Sequence, residues 1–154
     1  IPALLDVELP ASPPPRYESM TWDQIRACGG GVTTFGAHTV SHPILARTDD
    51  ASARFEIEES WRRLRAETDA AVSVFCYPNG CPGDMTSREV ALLRGVGIDA
   101  AVTSTTGYAS KARWSAGPDA PYFVPRFSYG GFLSELAQIV SGVERMKMAI
   151  RGRS

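Results

Sequence analysis

The segment VTTFGAHTVSHP, residues 32–43, joins an apolar strand pattern to a pair of histidines. Residues 32–37 include β-branched and aromatic side chains and follow glycine, which is typical of a buried strand. This strand leads directly into His38, and His42 follows four residues later; the chain contains no other histidine. On one helical turn, that spacing would place both imidazoles on a common face, roughly 5–6 Å apart at Cβ. The segment therefore predicts a strand that ends at a candidate metal-binding pair.

The chemistry open to this pair depends on how many further ligands the chain supplies. Neutral imidazole is a suitable ligand for zinc and related divalent ions. A catalytic zinc normally takes three protein ligands and keeps a position for water, so two histidines leave the set one ligand short. From spacing alone, a shared metal ion and a pair of ordinary surface or core histidines both remain open.

Helix and strand patterns alternate along the rest of the chain. Thr21 is a candidate N-cap for the first helix, and a run of glycines stops that helix after Cys28. The predicted helices span residues 22–28, 49–68, 86–95 and 132–150, and the predicted strands span residues 32–37, 71–77, 98–103 and 122–127. Such alternation predicts an α/β fold with parallel strands, whose ligands gather at the carboxyl ends of the strands.

The chain divides into an arm and one domain. Residues 1–17 are rich in proline, which neither donates to a strand ladder nor fits inside a helix, so we expect an extended arm there. Residues 18–150 carry the alternating pattern and are expected to form the domain. Four parallel strands are too few to close a barrel, so we expect either an open sheet or further units that precede this sequence.

Composition excludes several classes of partner. The formal net charge of -1 provides neither a basic face for nucleic acid nor a basic run for an anionic membrane surface. No apolar run approaches the roughly 20 residues that span a bilayer. The cysteines, Cys28, Cys76 and Cys81, are too few for a disulfide framework. A loop disulfide between Cys76 and Cys81 and three reduced thiols both remain open.

Three segments resemble, in order, motifs of the polysaccharide deacetylase family, also called carbohydrate esterase family four. They are MTWDQI at residues 20–25, FGAHTVSHP at residues 35–43 and FCYPNG at residues 75–80. The resemblance covers roughly residues 17–129. It implies a partial (β/α)7-type deacetylase barrel, with parallel strands alternating with helices and the first units missing.

The resemblance also implies a mechanism. In the family, an aspartate and two histidines hold a divalent metal, commonly zinc, which lowers the pKa of bound water and polarises an N-acetyl carbonyl. His38 and His42 match these two histidines. The Pro-Asn-Gly turn matches the oxyanion site, which assigns the Asn79 N–H as oxyanion donor and Tyr77 and Pro78 to substrate binding. The implied substrate is an acetylated amino sugar or glycan, and the implied location is the cell envelope or outside the cytoplasm.

The sequence departs from the family pattern at several positions. The family's first motif, a pair of aspartates before a glycine, is not found in this sequence. Asp6, the only early candidate, is assigned to the arm. Cys76 stands where the family has an arginine that braces the catalytic base, and Arg126 is our candidate to supply that charge from another strand. The family's general acid is a histidine late in the sequence, and no histidine follows His42 here. Tyr129, another group or water is the alternative.

These departures limit the activity expected from this chain. Without the paired aspartates we expect it to bind metal weakly and to hydrolyse substrate poorly by itself. The alternative function is a non-catalytic carbohydrate-binding or scaffolding module on the same fold. The oligomeric state is left open by the sequence.

Overall fold

The described strands form one parallel sheet. The structure, a computed structural model, describes residues 12–29, 31–128 and 130–152. Within these residues, β1 (Phe35–Ala37), β2 (Ala71–Cys76) and β3 (Ala100–Val102) form a three-stranded sheet in the order β1-β2-β3. Both neighbouring pairs of strands are parallel, which confirms the α/β class predicted from the alternating pattern.

Helices connect and follow these strands. The α-helices of the described residues are α1 (Trp22–Cys28), α2 (Asp50–Glu67), α3 (Ser87–Gly95), α4 (Lys111–Trp114), α5 (Leu133–Val140) and α6 (Val143–Ile150). Short 3-10 helices occur at Pro15–Tyr17, Leu45–Arg47 and Ala120–Phe123. Across the described ranges, no helix is both long and apolar enough to cross a bilayer.

Local capping interactions fix the first helical turns near the predicted positions. Thr21 and Gln24 form a reciprocal capping box at α1, in which each side chain accepts a hydrogen bond from the other residue's backbone N–H. Thr86 begins α3 in the same way with Glu89. These side chains satisfy backbone donors that have no partner inside the helix, so both helices begin within one residue of the predicted start.

The hydrophobic core lies between the sheet and helices α2 and α3. Ile57 of α2, Phe75 of β2 and Leu93 of α3 are fully buried in one cluster. Trp61 joins them, and its indole Nε1–H donates to the carbonyl oxygen of Val96 at 3.1 Å. Burial of these side chains is the main driving force that holds α2 and α3 against one face of the sheet.

Strands β1 and β2 approach each other unusually closely at Gly36. A Cβ at this position would lie 2.4 Å from the carbonyl oxygen of Val74, so only glycine fits without a backbone shift. The register is also irregular here: Phe35 pairs with Ala71 and Ala37 with Phe75, so two steps along β1 match four along β2. Such irregularities change the direction of the strand end, which here lies immediately before His38.

The predicted fourth strand at residues 122–127 is wrong. Residues Ala120–Phe123 form a 3-10 helix, and beyond it Val124 makes a single parallel bridge to Val102. Pro121 and Pro125 explain the difference, because neither has an N–H to donate to a ladder.

The predicted closing helix at residues 132–150 is divided into α5 and α6. Gly142 adopts a left-handed conformation with φ of 82°, which ends one helix before the next begins.

The predicted loop before residue 119 contains the short helix α4. The first strand is shorter than the predicted residues 32–37, because Val32 is fully exposed and does not join the sheet.

Part of the predicted arm lies outside the described residues. Of residues 1–17, the structure describes 12–17, and Pro15–Tyr17 form a 3-10 helix where an extended chain was predicted. Asp6, assigned to the arm, and Tyr129, an alternative general acid, also lie outside the described residues.

Candidate functional site

Three loops meet at one edge of the sheet because the strands are parallel. Residues 38–42, here called the histidine loop, follow β1. Residues 77–80 follow β2, and residues 103–105 follow β3. The carbonyl oxygen of Gly80 accepts a hydrogen bond from the Ser104 N–H at 3.0 Å, which joins the second loop to the third. This carboxyl edge is where α/β sheets place their ligands.

The two histidine rings lie together at this edge. The ring centroids of His38 and His42 are 4.8 Å apart, with an interplanar angle of 81°. Both residues are exposed, so an ion can reach the rings from solvent. A metal–nitrogen bond to imidazole is about 2.0–2.1 Å long, so rings at this separation are close enough to share one cation.

The backbone that brings the rings together is not a helical turn. Thr39 and His42 have φ of 65° and 61°, in the left-handed region that side-chain-bearing residues rarely adopt. The Thr39 hydroxyl donates to the His38 carbonyl oxygen at 2.5 Å and accepts from the His42 N–H at 3.1 Å. These local bonds, and not i,i+4 helical spacing, hold the two ends of the loop near each other.

His38 is oriented by a hydrogen bond from its ring. Its Nδ1 lies 2.6 Å from the carbonyl oxygen of Cys76. A carbonyl can only accept, so Nδ1 carries the proton and the neutral ring keeps the Nε2 lone pair available for a metal. The pKa of His38 is raised, mainly because the Cys76 side chain hydrogen-bonds to it, while burial acts in the opposite direction. A proton therefore competes with a cation for this ring as the pH falls.

Arg126 reaches Cys76 from the segment that follows Val124, which lies beside β3. Its Nη1 donates to the Cys76 Sγ at 3.3 Å. The pKa of the Cys76 thiol is lowered, first by hydrogen bonding to His38 and further by the charge of Arg126, although burial opposes the shift. The guanidinium thus lies beside both Cys76 and the His38 ring that hydrogen-bonds to it.

Tyr77 and Pro78 do not line an open cleft, so their predicted contact with substrate is not supported by their placement. Both side chains are fully buried. The Tyr77 N–H donates to the Val102 carbonyl oxygen at 3.2 Å, so the residue continues the direction of β2. Its ring therefore points to the same side as Phe75, and the two rings pack edge to face at a centroid distance of 5.5 Å.

Asn79 is the exposed residue of this turn. It has φ of 57°, and its side chain lies outside the core that holds its two predecessors. Among hydrogen bonds between described residues, the Asn79 N–H donates none, whereas the Gly80 N–H donates to the Pro78 carbonyl oxygen at 2.7 Å. No described residue therefore accepts a hydrogen bond from the Asn79 N–H.

The donor set fits part of a zinc site. Two imidazoles are suitable zinc ligands and account for two of the three protein ligands that a catalytic zinc normally has. In the part of the chain that the structure describes, no group of three or more His, Cys, Asp or Glu side chains is arranged to hold a metal ion. Among the described residues, the two imidazoles therefore lie together without a third possible ligand beside them.

Glu56 of α2 is a contact of the histidine loop that the sequence analysis missed. The side chain is only 7% exposed, and its carboxylate accepts hydrogen bonds from the backbone of Val40 and from Ser41. One signal could have identified it: Glu56 lies on the buried stripe of α2, three residues after Ala53 and next to Ile57. A carboxylate on an apolar helical stripe needs a specific partner.

Comparison with known proteins is consistent with this geometry. Residues 15–100 match the family model described as polysaccharide deacetylase. The structure is similar to that of the Streptococcus pyogenes deacetylase PplD in complex with acetate, with a TM-score of 0.62 and 19% sequence identity. The alignment covers 73% of this chain and 46% of the streptococcal chain, so this chain spans about half the length of that relative. A search of curated protein sequences gives no match.

Proposed function

Because the chain belongs to the polysaccharide deacetylase family, we propose that it contributes to a metal-dependent hydrolase that removes acetyl groups from an amino sugar or glycan. The family match and the deacetylase-type fold agree with the assignment made from the three sequence motifs. The streptococcal relative was solved with acetate, the product that such a hydrolysis releases. An acetylated carbohydrate is therefore the substrate class to test.

One observation carries the proposal: the two imidazoles are exposed, close together and placed at the carboxyl edge of a parallel sheet. We propose that His38 and His42 are ligands of a divalent metal, with zinc as the first candidate. When bound, such an ion supplies Lewis acidity and lowers the pKa of a water molecule. The hydrogen bond from His38 Nδ1 to the Cys76 carbonyl oxygen supports this role, because it directs Nε2 away from the strand.

Two further groups are proposed to act on the substrate side. The Asn79 N–H is our candidate donor to the oxyanion that forms on the acetyl carbonyl carbon, because it makes no hydrogen bond with a described residue. Arg126 is our candidate for the positive charge at the edge of the site, because its guanidinium contacts Cys76, the last residue of β2, which also hydrogen-bonds to His38. Tyr77 and Pro78 support this turn from within the core and have no proposed contact with substrate.

We propose that the activity of this chain by itself is weak. Two imidazoles leave a zinc site one ligand short, and the described residues contain no cluster that completes it. The same observation favours a second candidate function, in which the domain binds an acetylated glycan without hydrolysing it. The two candidate functions differ in whether acetate is released. In the hydrolase, the release depends on zinc and on the histidines.

Zinc titration and acetate release test the proposal together. The metal-free chain would be titrated with zinc in a calorimeter, and acetate release from N-acetylated oligosaccharides would be measured with and without zinc. We expect zinc binding that His42→Ala weakens by at least about tenfold, as expected for loss of a ligand. We expect slow acetate release that requires zinc and disappears in His42→Ala.

Arg63→Ala is the matched control, because Arg63 is exposed on α2 and makes no hydrogen bond with a described residue. This variant should bind zinc and release acetate like the unmodified chain. Glycan binding that persists in His42→Ala without any acetate release from either protein would favour the binding module. Absence of zinc binding by the unmodified chain would contradict the metal site itself.

A further inference from the structure

The histidine loop has a backbone conformation that needs external support. Thr39 and His42 both lie in the left-handed region, and neither is a glycine. For residues with a Cβ this conformation is strained, and it persists only where surrounding contacts determine it. The hydroxyl of Thr39 supplies contacts inside the loop, but it does not fix residues 40 and 41, which form the tip.

Glu56 supplies the contacts at that tip. Its Oε2 accepts hydrogen bonds from the N–H groups of Val40, at 2.6 Å, and Ser41, at 2.9 Å. Its Oε1 accepts from the Ser41 hydroxyl at 2.5 Å. A single carboxylate thus binds two consecutive backbone donors and one side chain of a loop that lies 15 and 16 residues earlier in the sequence.

The surroundings of this carboxylate make the interaction specific. Glu56 is 7% exposed, whereas its neighbours Glu58 and Glu59 pair with arginines on the solvent side of α2. Among the described residues, Glu56 itself forms no ion pair, so hydrogen bonds from the loop are what stabilise its charge. A buried carboxylate without these donors would be strongly destabilising, so helix and loop determine each other's position.

We propose that Glu56 is a positioning residue that holds the histidine loop in the shape in which His38 and His42 can share one cation. This inference rests on the proposed function, because it assigns Glu56 a role through the two proposed metal ligands. The carboxylate makes its hydrogen bonds with Val40 and Ser41 and none with the two rings. It acts through the backbone between them, and its effect is on the preorganisation of the pair.

Zinc affinity of the folded protein distinguishes this role from a merely structural one. Loss of a structural contact lowers the unfolding temperature but leaves zinc affinity unchanged well below that temperature. We expect Glu56→Ala to weaken zinc binding by about 10–100-fold, the range for removal of a group that orients metal ligands. Glu56→Gln should restore binding to within about threefold, because an amide oxygen still accepts from both N–H groups and the Ser41 hydroxyl can turn to accept.

Glu58→Gln is the matched control on the same helix. Glu58 pairs with Arg54 at 2.9 Å on an exposed face, and we expect its substitution to leave zinc affinity unchanged. If Glu56→Ala does not fold, Ser41→Ala carries the test, because it removes only one of the three bonds. We expect it to weaken zinc binding by up to about tenfold, less than Glu56→Ala, because both backbone hydrogen bonds to the carboxylate remain.

A second measurement does not need the metal. His38 and His42 are the only histidines of the chain, so their ring-proton NMR signals are unambiguous. We expect a nuclear Overhauser effect between the two rings in the metal-free protein, and we expect Glu56→Ala to abolish it. If the unmodified chain binds no zinc, the proposed function fails while this measurement still decides the role of Glu56. A folded Glu56→Ala protein that keeps both the ring contact and the zinc affinity would overturn the inference.

Discussion

Substitution of Gly80 by alanine should disrupt the turn that carries the candidate oxyanion donor. Gly80 has φ of 74°, and a Cβ there would lie 2.9 Å from the Ser104 backbone nitrogen and 3.3 Å from two backbone atoms of Thr103. The left-handed conformation alone costs alanine about 1–2 kcal/mol. The contact with rigid backbone adds a further cost of about 1–3 kcal/mol, the usual range for overpacking.

Gly97 is the matched control that separates these two contributions. Its φ is 80°, close to that of Gly80, but a Cβ there would meet no atom within 4 Å. Gly97→Ala should therefore lose only the conformational part, about 1–2 kcal/mol. Gly80→Ala should lose about 2–5 kcal/mol in total, the sum of both contributions.

Urea denaturation followed by circular dichroism measures both free energies of unfolding. We expect Gly80→Ala to unfold at a clearly lower urea concentration than Gly97→Ala, with similar slopes for both proteins. Equal destabilisation of the two variants would refute the close approach of the 77–80 turn to residues 103 and 104. The position of the Asn79 N–H would then have no structural support from the loop that follows β3.

Three further predictions concern buried and titrating groups around the site. Tyr77→Phe should leave the free energy of unfolding unchanged or raise it by up to about 1–3 kcal/mol, because the buried hydroxyl has no partner among described residues; clear destabilisation in urea would contradict this. His38→Ala should slow alkylation of Cys76 by iodoacetamide at neutral pH, because it removes the main group that lowers the thiol pKa, whereas mass spectrometry should show unchanged modification of exposed Cys28. Burial raises the pKa of Glu56, but hydrogen bonds from the histidine loop outweigh it and hold the pKa below the ordinary value. Its stabilising effect should therefore be present above about pH 4.3 and be lost as the pH falls further, a loss that denaturation curves of Glu56→Ala should lack.

Helix positions were largely predictable because their signals are local. Thr21 and Thr86 are N-caps with partners three residues later, and both helices begin directly after them. Asp49 caps α2 by accepting from the Ser52 N–H at 2.8 Å. These interactions depend on neighbouring residues only, so the sequence contains most of the information that determines them.

Strand limits were less predictable because pairing depends on distant residues. Val32 has strand propensity, yet it finds no partner in the sheet and is fully exposed. Val124 makes one bridge beside β3, but the prolines on either side, Pro121 and Pro125, prevent a longer ladder. The division between α5 and α6 at Gly142 was visible as a glycine, but its left-handed conformation was not.

The sequence indicated candidate residues for the site but not the contacts among them. The spacing of His38 and His42 suggested a pair, and the structure brings the two rings together on a loop with left-handed residues and not on a helical turn. Arg126 contacts Cys76 across 50 residues of sequence, and Glu56 contacts the histidine loop across about 15 residues. Such contacts follow from tertiary packing, so neither contact can be inferred from the local sequence pattern.

X-ray absorption at the zinc K-edge tests the central claim most directly. The full chain loaded with one equivalent of zinc should show imidazole scattering from two histidines, with zinc–nitrogen distances of about 2.0–2.1 Å. His42→Ala should reduce the fit to one imidazole. A spectrum without imidazole scattering, or one that His42→Ala leaves unchanged, would contradict the proposal that these two rings share a metal ion.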